Sequence, residues 1–240
     1  RFLGGMVTNR VEGLEPGRGN HSAIADPQGN TLADLFVHNR GDHLLVETDP
    51  GLQKKVLETL NRYLIADDVD LVDISGNRSI VGLQGPESLS LLQNVLKGAP
   101  EDISELDTNV LEFEDVAVET VCRSYTGERG FDIKVCHEDS AELWKRLVEA
   151  GGRPIGHRAL EMLRIEAGLP RYEMDVDEQG TPLETGLAHT VDFEKGCFIG
   201  QETIAKMQHR GKPRRSLVGI RLPAEEDYEA GQELKADGRT

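Results

Sequence analysis

Apolar and polar positions alternate along much of this chain, and the period of the alternation changes with position. Residues 21–25 and 31–38 read as two strands flanking Asp26-Pro27-Gln28-Gly29-Asn30. Pro at the second place and Gly at the fourth predict a type I turn over residues 26–29, closing a hairpin. A third strand is expected at 43–48. Between 51 and 65, Leu52, Val56, Leu57, Leu60 and Leu64 recur at helical spacing. Strand patterning returns at 70–74 and 79–84, and Gly85-Pro86 opens a helix, since proline suits a first turn. Further strands are expected at 109–113, 117–125 and 131–135. Helices follow at 140–150, with Leu143, Trp144 and Leu147 or Val148 inward, and at 157–168, where Gly168 is a C-cap. The first ten residues read as the end of a helix. A short helix is expected to begin near Gly200, and a last strand at 217–222. Helices interspersed with adjacent strand pairs predict an α+β fold with mainly antiparallel sheets.

Composition narrows the partners. The chain of 240 residues carries 27 basic and 43 acidic side chains, a formal charge of −16. That argues against nucleic-acid binding by bulk charge, which needs clustered positive surface. No apolar run approaches the roughly 20 residues of a membrane-spanning helix. Three cysteines, Cys122, Cys136 and Cys197, without a Cys-x-x-Cys pair, speak against a disulfide scaffold or a self-contained zinc site. A reducing, cytoplasmic setting is the simpler expectation. Neither Arg1-Phe2-Leu3 nor the final polar residues read as a natural terminus.

Three features carry candidate chemistry. Gly17-Arg18-Gly19-Asn20-His21-Ser22 has only two glycines of a dinucleotide fingerprint and follows no strand, so a nucleotide site is not expected there. Asp34 lies in a strand between Leu32, Ala33, Leu35 and Phe36. A carboxylate among apolar neighbours must find a partner, serve a site, or face solvent. In Lys195-Gly196-Cys197-Phe198-Ile199-Gly200-Gln201-Glu202, the thiol precedes a helix start and sits two residues from Lys195. Both features favour a thiolate if the side chain points that way; a small buried thiol in a tight turn fits equally. Downstream, His209-Arg210-Gly211-Lys212-Pro213-Arg214-Arg215 concentrates cations as an anion site or a solvated linker.

Taken together, several strings resemble the glycine-cleavage T-protein superfamily of folate-dependent aminomethyltransferases and their YgfZ-type relatives. They are Thr8-Asn9, residues 26–37, Leu83-Gln84-Gly85-Pro86, Tyr125-Thr126-Gly127-Glu128, Leu163-Arg164-Ile165-Glu166-Ala167-Gly168, Thr181-Pro182-Leu183-Glu184 and Phe198-Ile199-Gly200. The resemblance implies interleaved α+β units over residues 1–210 and the start of a C-terminal β-barrel over 211–240. It implies tetrahydrofolate in a central cavity, with Asp34 at the position of the catalytic strand aspartate. Asp132 falls where the superfamily has a pterin-gripping glutamate, Leu160 where it has the paired arginine, and His21 and His38 where it has pocket tyrosines. Tyr125 and Glu128 belong to the same cofactor-binding motif. Cys197 stands where T-proteins carry an aspartate, which resembles the YgfZ-type signature. The first function implied is a folate-binding protein that supports iron–sulfur enzymes, with Cys197 as its special residue. The alternative is a tetrahydrofolate-dependent aminomethyltransferase working with a lipoyl carrier protein through Asp34.

Overall fold

A computed structural model describes residues 1–234, apart from 77, 210, 212, 214, 224–227 and 230. Among these residues the chain builds two antiparallel sheets. The first holds β1 (Gly19–Ala25), β2 (Thr31–Asn39) and β3 (Leu44–Glu47) in the order β1-β2-β3. Its hairpin turn is the expected one: the Gly29 amide donates to the Asp26 carbonyl at 2.9 Å, and Gly29 takes φ 88°. The Asp26 side chain also accepts from the Asn30 amide, which pins the turn before β2 begins. The second sheet holds β4 (Ser79–Gln84), β5 (Thr108–Phe113), β6 (Val116–Cys122) and β7 (Gly130–Val135) in the order β4-β7-β6-β5.

Each sheet has one oily face, because side chains alternate across a strand. In the first sheet Ile24, Ala33, Leu35 and Val37 pack on Val56 and Leu60 of α2 (Gln53–Tyr63) and on Leu52 just before it, α1 being Phe2–Met6. In the second, Val81, Leu83, Val118, Phe131, Ile133 and Val135 pack with Leu92 of α3 (Ser88–Val95) and with Leu143 and Leu147 of α4 (Ser140–Glu149). After α5 (His157–Glu166) the chain returns to the first sheet. The Thr31 amide donates to Gly180, Asp192 to Thr8, and Ile199 to Gly5. The two units are thus interleaved, with residues 170–200 closing the one that residue 1 opens. Gly200 precedes α6 (Gln201–His209) at φ 84°, and a Cβ there would meet the Asp26 carbonyl at 2.5 Å. Only glycine lets the hairpin turn approach so closely.

The α+β class, the hairpin and all the expected helices are present, with several departures. Residues 70–74 are not a strand: Val72 and Ile74 are exposed, and no strand of either sheet pairs with them. Residues 217–222 form no ladder either, and Leu217, Val218, Ile220 and Leu222 are exposed. Both segments have apolar alternation but no neighbouring edge to hydrogen-bond. In α4, Leu143 and Leu147 turn inward while Trp144 and Val148 are exposed, because a four-residue step keeps one face. The helix expected at Gly85-Pro86 begins two residues later, at Ser88. Arg210, Lys212 and Arg214 of the cationic run lie outside the described residues.

Candidate functional site

The polar faces of the two sheets meet. On β2 the residues opposite the core are Asp34, Phe36 and His38, with Ala23, His21 and Gly19 beside them on β1 and Glu47 beside Phe36 on β3. On the second sheet the matching face carries Gly82, Asp132 and Lys134, with Glu119 and Val121 next to them on β6. Lys134 reaches across to Glu47, and the Arg123 guanidinium lies 3.7 Å from the centre of the Phe36 ring. The result is a charged seam between two apolar cores.

Asp34 faces this seam, with 15% of its side chain exposed. Its Oδ2 is 2.9 Å from His21 Nε2, and His21 Nδ1 is 2.9 Å from His189 Nε2. The His21 ring stacks on Phe36, centroids 4.1 Å apart and planes 11° from parallel. His189 itself is exposed. Its ring is nonetheless partly enclosed against its neighbours, and that enclosure, then the His21 charge, push the imidazole below the ordinary histidine value. Asp49 stands nearby: its burial, then the Asp34 charge, raise its carboxyl, while Arg123 and Arg171 oppose them.

Asp132 is only 2% exposed. Tyr125 donates its hydroxyl to Asp132 Oδ2 at 2.8 Å, and Arg123 Nη1 is 3.9 Å away. Burial raises the Asp132 carboxyl in spite of Arg123 and Tyr125. Burial also raises the Tyr125 phenol, so it stays a donor. Arg123 also lies close to both rings, 3.7 Å from the Phe36 centroid and 4.6 Å from the Tyr125 centroid. A flat guanidinium against two aromatic rings and beside a carboxylate marks a slot suited to a planar, donor-rich group.

A cleft of about 960 Å³ opens beside this slot, lined by Gly82, Gln84, Tyr125, Trp144, Leu160 and Leu163. Asp132 and Arg123 do not line it; it approaches the slot through Tyr125 and Gly82, and a Cβ added at Gly82 would lie 4.0 Å from Asp132 Oδ1. The Gln84 side chain braces the wall, donating to the Arg123 carbonyl and accepting from the Tyr125 amide.

The structure therefore gathers Asp34, His21, Asp132 and Tyr125. His38 is further along the same face, 1% exposed, with Nε2 3.2 Å from Glu47, and so is set in the packed part of the seam. Glu128 is exposed on its turn and lines only the cleft. Cys197 lies elsewhere, exposed in a recess of about 590 Å³ with Arg1, Arg10, Glu12 and Glu194. Lys195 does not serve its thiol. The ammonium donates to the carbonyls of Gly4, Val7 and Asn9 at 2.6, 2.5 and 2.8 Å. Burial pushes Lys195 down to about 8. Cys136 is exposed as well, whereas Cys122 is buried and its thiol is pushed up to about 11. His189, Arg123 and Asp49 were not singled out from sequence. Arg123 carries one signal, its place at a strand end just before Tyr125-Thr126-Gly127-Glu128. His189 carries none, because 168 residues separate it from His21. Among the described residues no three His, Cys, Asp or Glu side chains are grouped to hold a metal ion. No helix among them is long and apolar enough to cross a membrane.

Comparison with known proteins places these features in a family. The model of the GCVT N-terminal domain matches residues 1–195. An aminomethyltransferase of Rubrobacter xylanophilus is 34% identical over 226 residues, which are 92% of this chain and 60% of that protein. One from Rippkaea orientalis is 30% identical over 247 residues, covering 98% and 65%. The chain thus spans 60 to 65% of the length of these relatives. The crystal structure of the glycine cleavage system aminomethyltransferase T from Bartonella henselae superposes with a TM-score of 0.77 at 21% identity, covering 88% of this chain and 58% of that one. That likeness establishes the fold.

Proposed function

This chain belongs to the GCVT N-terminal domain family, and we propose that it is the folate-binding, carbon-transferring portion of an aminomethyltransferase. The observation that carries the reading is Asp34, a carboxylate on the inner face of β2 with an imidazole as its partner. The relatives bearing the name aminomethyltransferase favour transfer over the iron–sulfur role expected first from the sequence. The substrate is a reduced folate. Its pterin is planar and presents amino and ring N–H donors, which match the buried Asp132 acceptor and the Phe36 and Tyr125 rings. The residues present fit such a ring once Arg123 moves off the two aromatics. The cleft past Leu160 has the size and apolar lining for the remainder of the molecule. A lipoyl carrier protein delivers the aminomethyl group, and Asp34 handles the proton that the reacting amine gains or loses.

Calorimetric titration with tetrahydrofolate, followed by a glycine-cleavage exchange assay with lipoylated carrier protein, tests this. Binding is expected, weakened by Leu160 at the arginine position, and Leu160→Arg should tighten it. No heat at millimolar folate would overturn the ligand assignment. The exposure of Cys197 supports a second reading, a YgfZ-type part in maintaining iron–sulfur enzymes. Under that reading Cys197→Ser binds folate normally but does not restore iron–sulfur enzyme activity in cells lacking the protein. Full restoration removes the second reading.

A further inference from the structure

Three side chains form one hydrogen-bonded line leading out of the seam. It starts at Asp34 Oδ2, crosses the His21 ring from Nε2 to Nδ1, and ends at His189 Nε2, with both links 2.9 Å long. The inner end is mostly covered and the outer ring is exposed. Stacking on Phe36 fixes the middle ring in its plane, so each nitrogen keeps its own neighbour. We propose that His21 and His189 relay protons between Asp34 and solvent, as positioning residues for the carbon transfer above, on which reading their role rests.

Bond polarity supports the relay. A neutral imidazole has one N–H donor and one bare nitrogen acceptor, so protons along the line can all point the same way. When Asp34 has taken a proton on Oδ2 it donates to His21 Nε2, His21 donates from Nδ1 to His189 Nε2, and His189 carries its own N–H on Nδ1. Both links are then satisfied, and the exposed outer ring gives the line an exit. In the outward direction each proton moves one place along: from Asp34 Oδ2 to His21 Nε2, from His21 Nδ1 to His189 Nε2, and from His189 Nδ1 to water. Asp34 is left as a carboxylate facing the His21 Nε2–H, ready to accept a proton from a reacting amine. Only N–H and O–H bonds form and break, and no electrons change hands. Burial and the His21 charge both lower His189, which returns it to the neutral form. Asp49 also acts electrostatically with Asp34 and His21, and its own cationic neighbours are Arg123 and Arg171.

His189→Gln is the informative variant, because glutamine keeps a hydrogen bond to His21 but passes no proton, and the exposed position leaves the cores untouched. In the exchange assay kcat should fall about tenfold, less than for loss of a direct acid–base group, with KM for tetrahydrofolate unchanged. The pH–rate profile should change shape, and imidazole in solution should restore part of the rate. Unchanged kcat with an unchanged profile would overturn the relay. A second readout needs no turnover. The histidine-ring proton–nitrogen spectrum of the wild type should show a far-downfield, exchange-protected N–H that is lost in Asp34→Asn and shifted in His189→Gln. Absence of that signal from the wild type sinks the relay. Its presence in a protein without transfer activity upholds the relay and counts against the transfer reading.

Discussion

Two histidine–carboxylate pairs sit on one face of β2 and its neighbours, yet their surroundings differ. His38 pairs with Glu47, and Glu47 also takes Lys134, which pairs with Glu119 at 3.1 Å, which in turn pairs with Arg40 at 2.6 Å. In this closed half every charge has protein partners, and the His38 side chain is 1% exposed. Burial alone would raise the Glu47 carboxyl, but His38 and Lys134 outweigh it and hold it down at about 2. In the open half, His21 is the one basic side chain within salt-bridge distance of Asp34 among the described residues, and His21 leads to an exposed ring. The same pair of residue types is structural where surrounding charges saturate it and available for chemistry where they do not.

The comparison can be broken from either side. The largest expected effect is on the closed half. Lys134→Met leaves Glu47 and Glu119 buried beside each other and should cost about 3–5 kcal/mol in urea unfolding, with turnover per folded molecule retained. A loss of turnover without a loss of stability would mean that the closed half is not merely structural. Next, Asp34→Asn should leave the unfolding midpoint nearly unchanged and lower transfer activity by about 10²-fold or more. Equal turnover would remove Asp34 from the mechanism. Third comes the pH dependence. Because the folded-state value of Glu47 is depressed, its stabilisation is fully present above about 4.5. It is lost as pH falls towards about 2. Acid titration of Glu47→Gln should therefore lack about 2 kcal/mol of the wild-type loss across that window. The smallest effect is expected at the slot. Tyr125→Phe removes one hydrogen bond to Asp132 and should cost about 1 kcal/mol of stability, with weaker folate binding. Folate binding unaffected by that change would place the pterin away from Asp132.

Much of this arrangement was legible in the chain. Period-2 alternation of Ala33, Leu35 and Val37 with Asp34, Phe36 and His38 already assigns the two faces of β2, and the proline–glycine turn sets its pairing with β1. Strings at 125–128 and around Asp34 pointed to the correct superfamily. What alternation cannot report is which polar face meets which. His38 and His21 look alike in sequence, and only the approach of Lys134 from the other sheet separates them. Lys195 misled for a related reason. Its proximity to Cys197 is real along the chain, but three carbonyls from the first nine residues capture its ammonium. Residues 70–74 and 217–222 have strand composition, yet a strand also needs an edge to pair with, and among the described residues neither sheet pairs with them.

That lysine has a consequence in time. Its three acceptors lie 191, 188 and 186 residues earlier in the chain, and Thr8 makes a similar reach to Thr190. A nascent chain emerges N-terminus first, and its parts fold as their partners appear. The second sheet with α3 and α4 draws on residues 79–149 alone and is complete well before residue 195 is made. The segment around Gly4 to Asn9, synthesised long before Lys195, waits for its clasp until that lysine is made. It is thus fixed late although it precedes the second sheet in the chain, and the interval between the two events is when β1 and its flank are open to chaperones, proteases or a wrong neighbour.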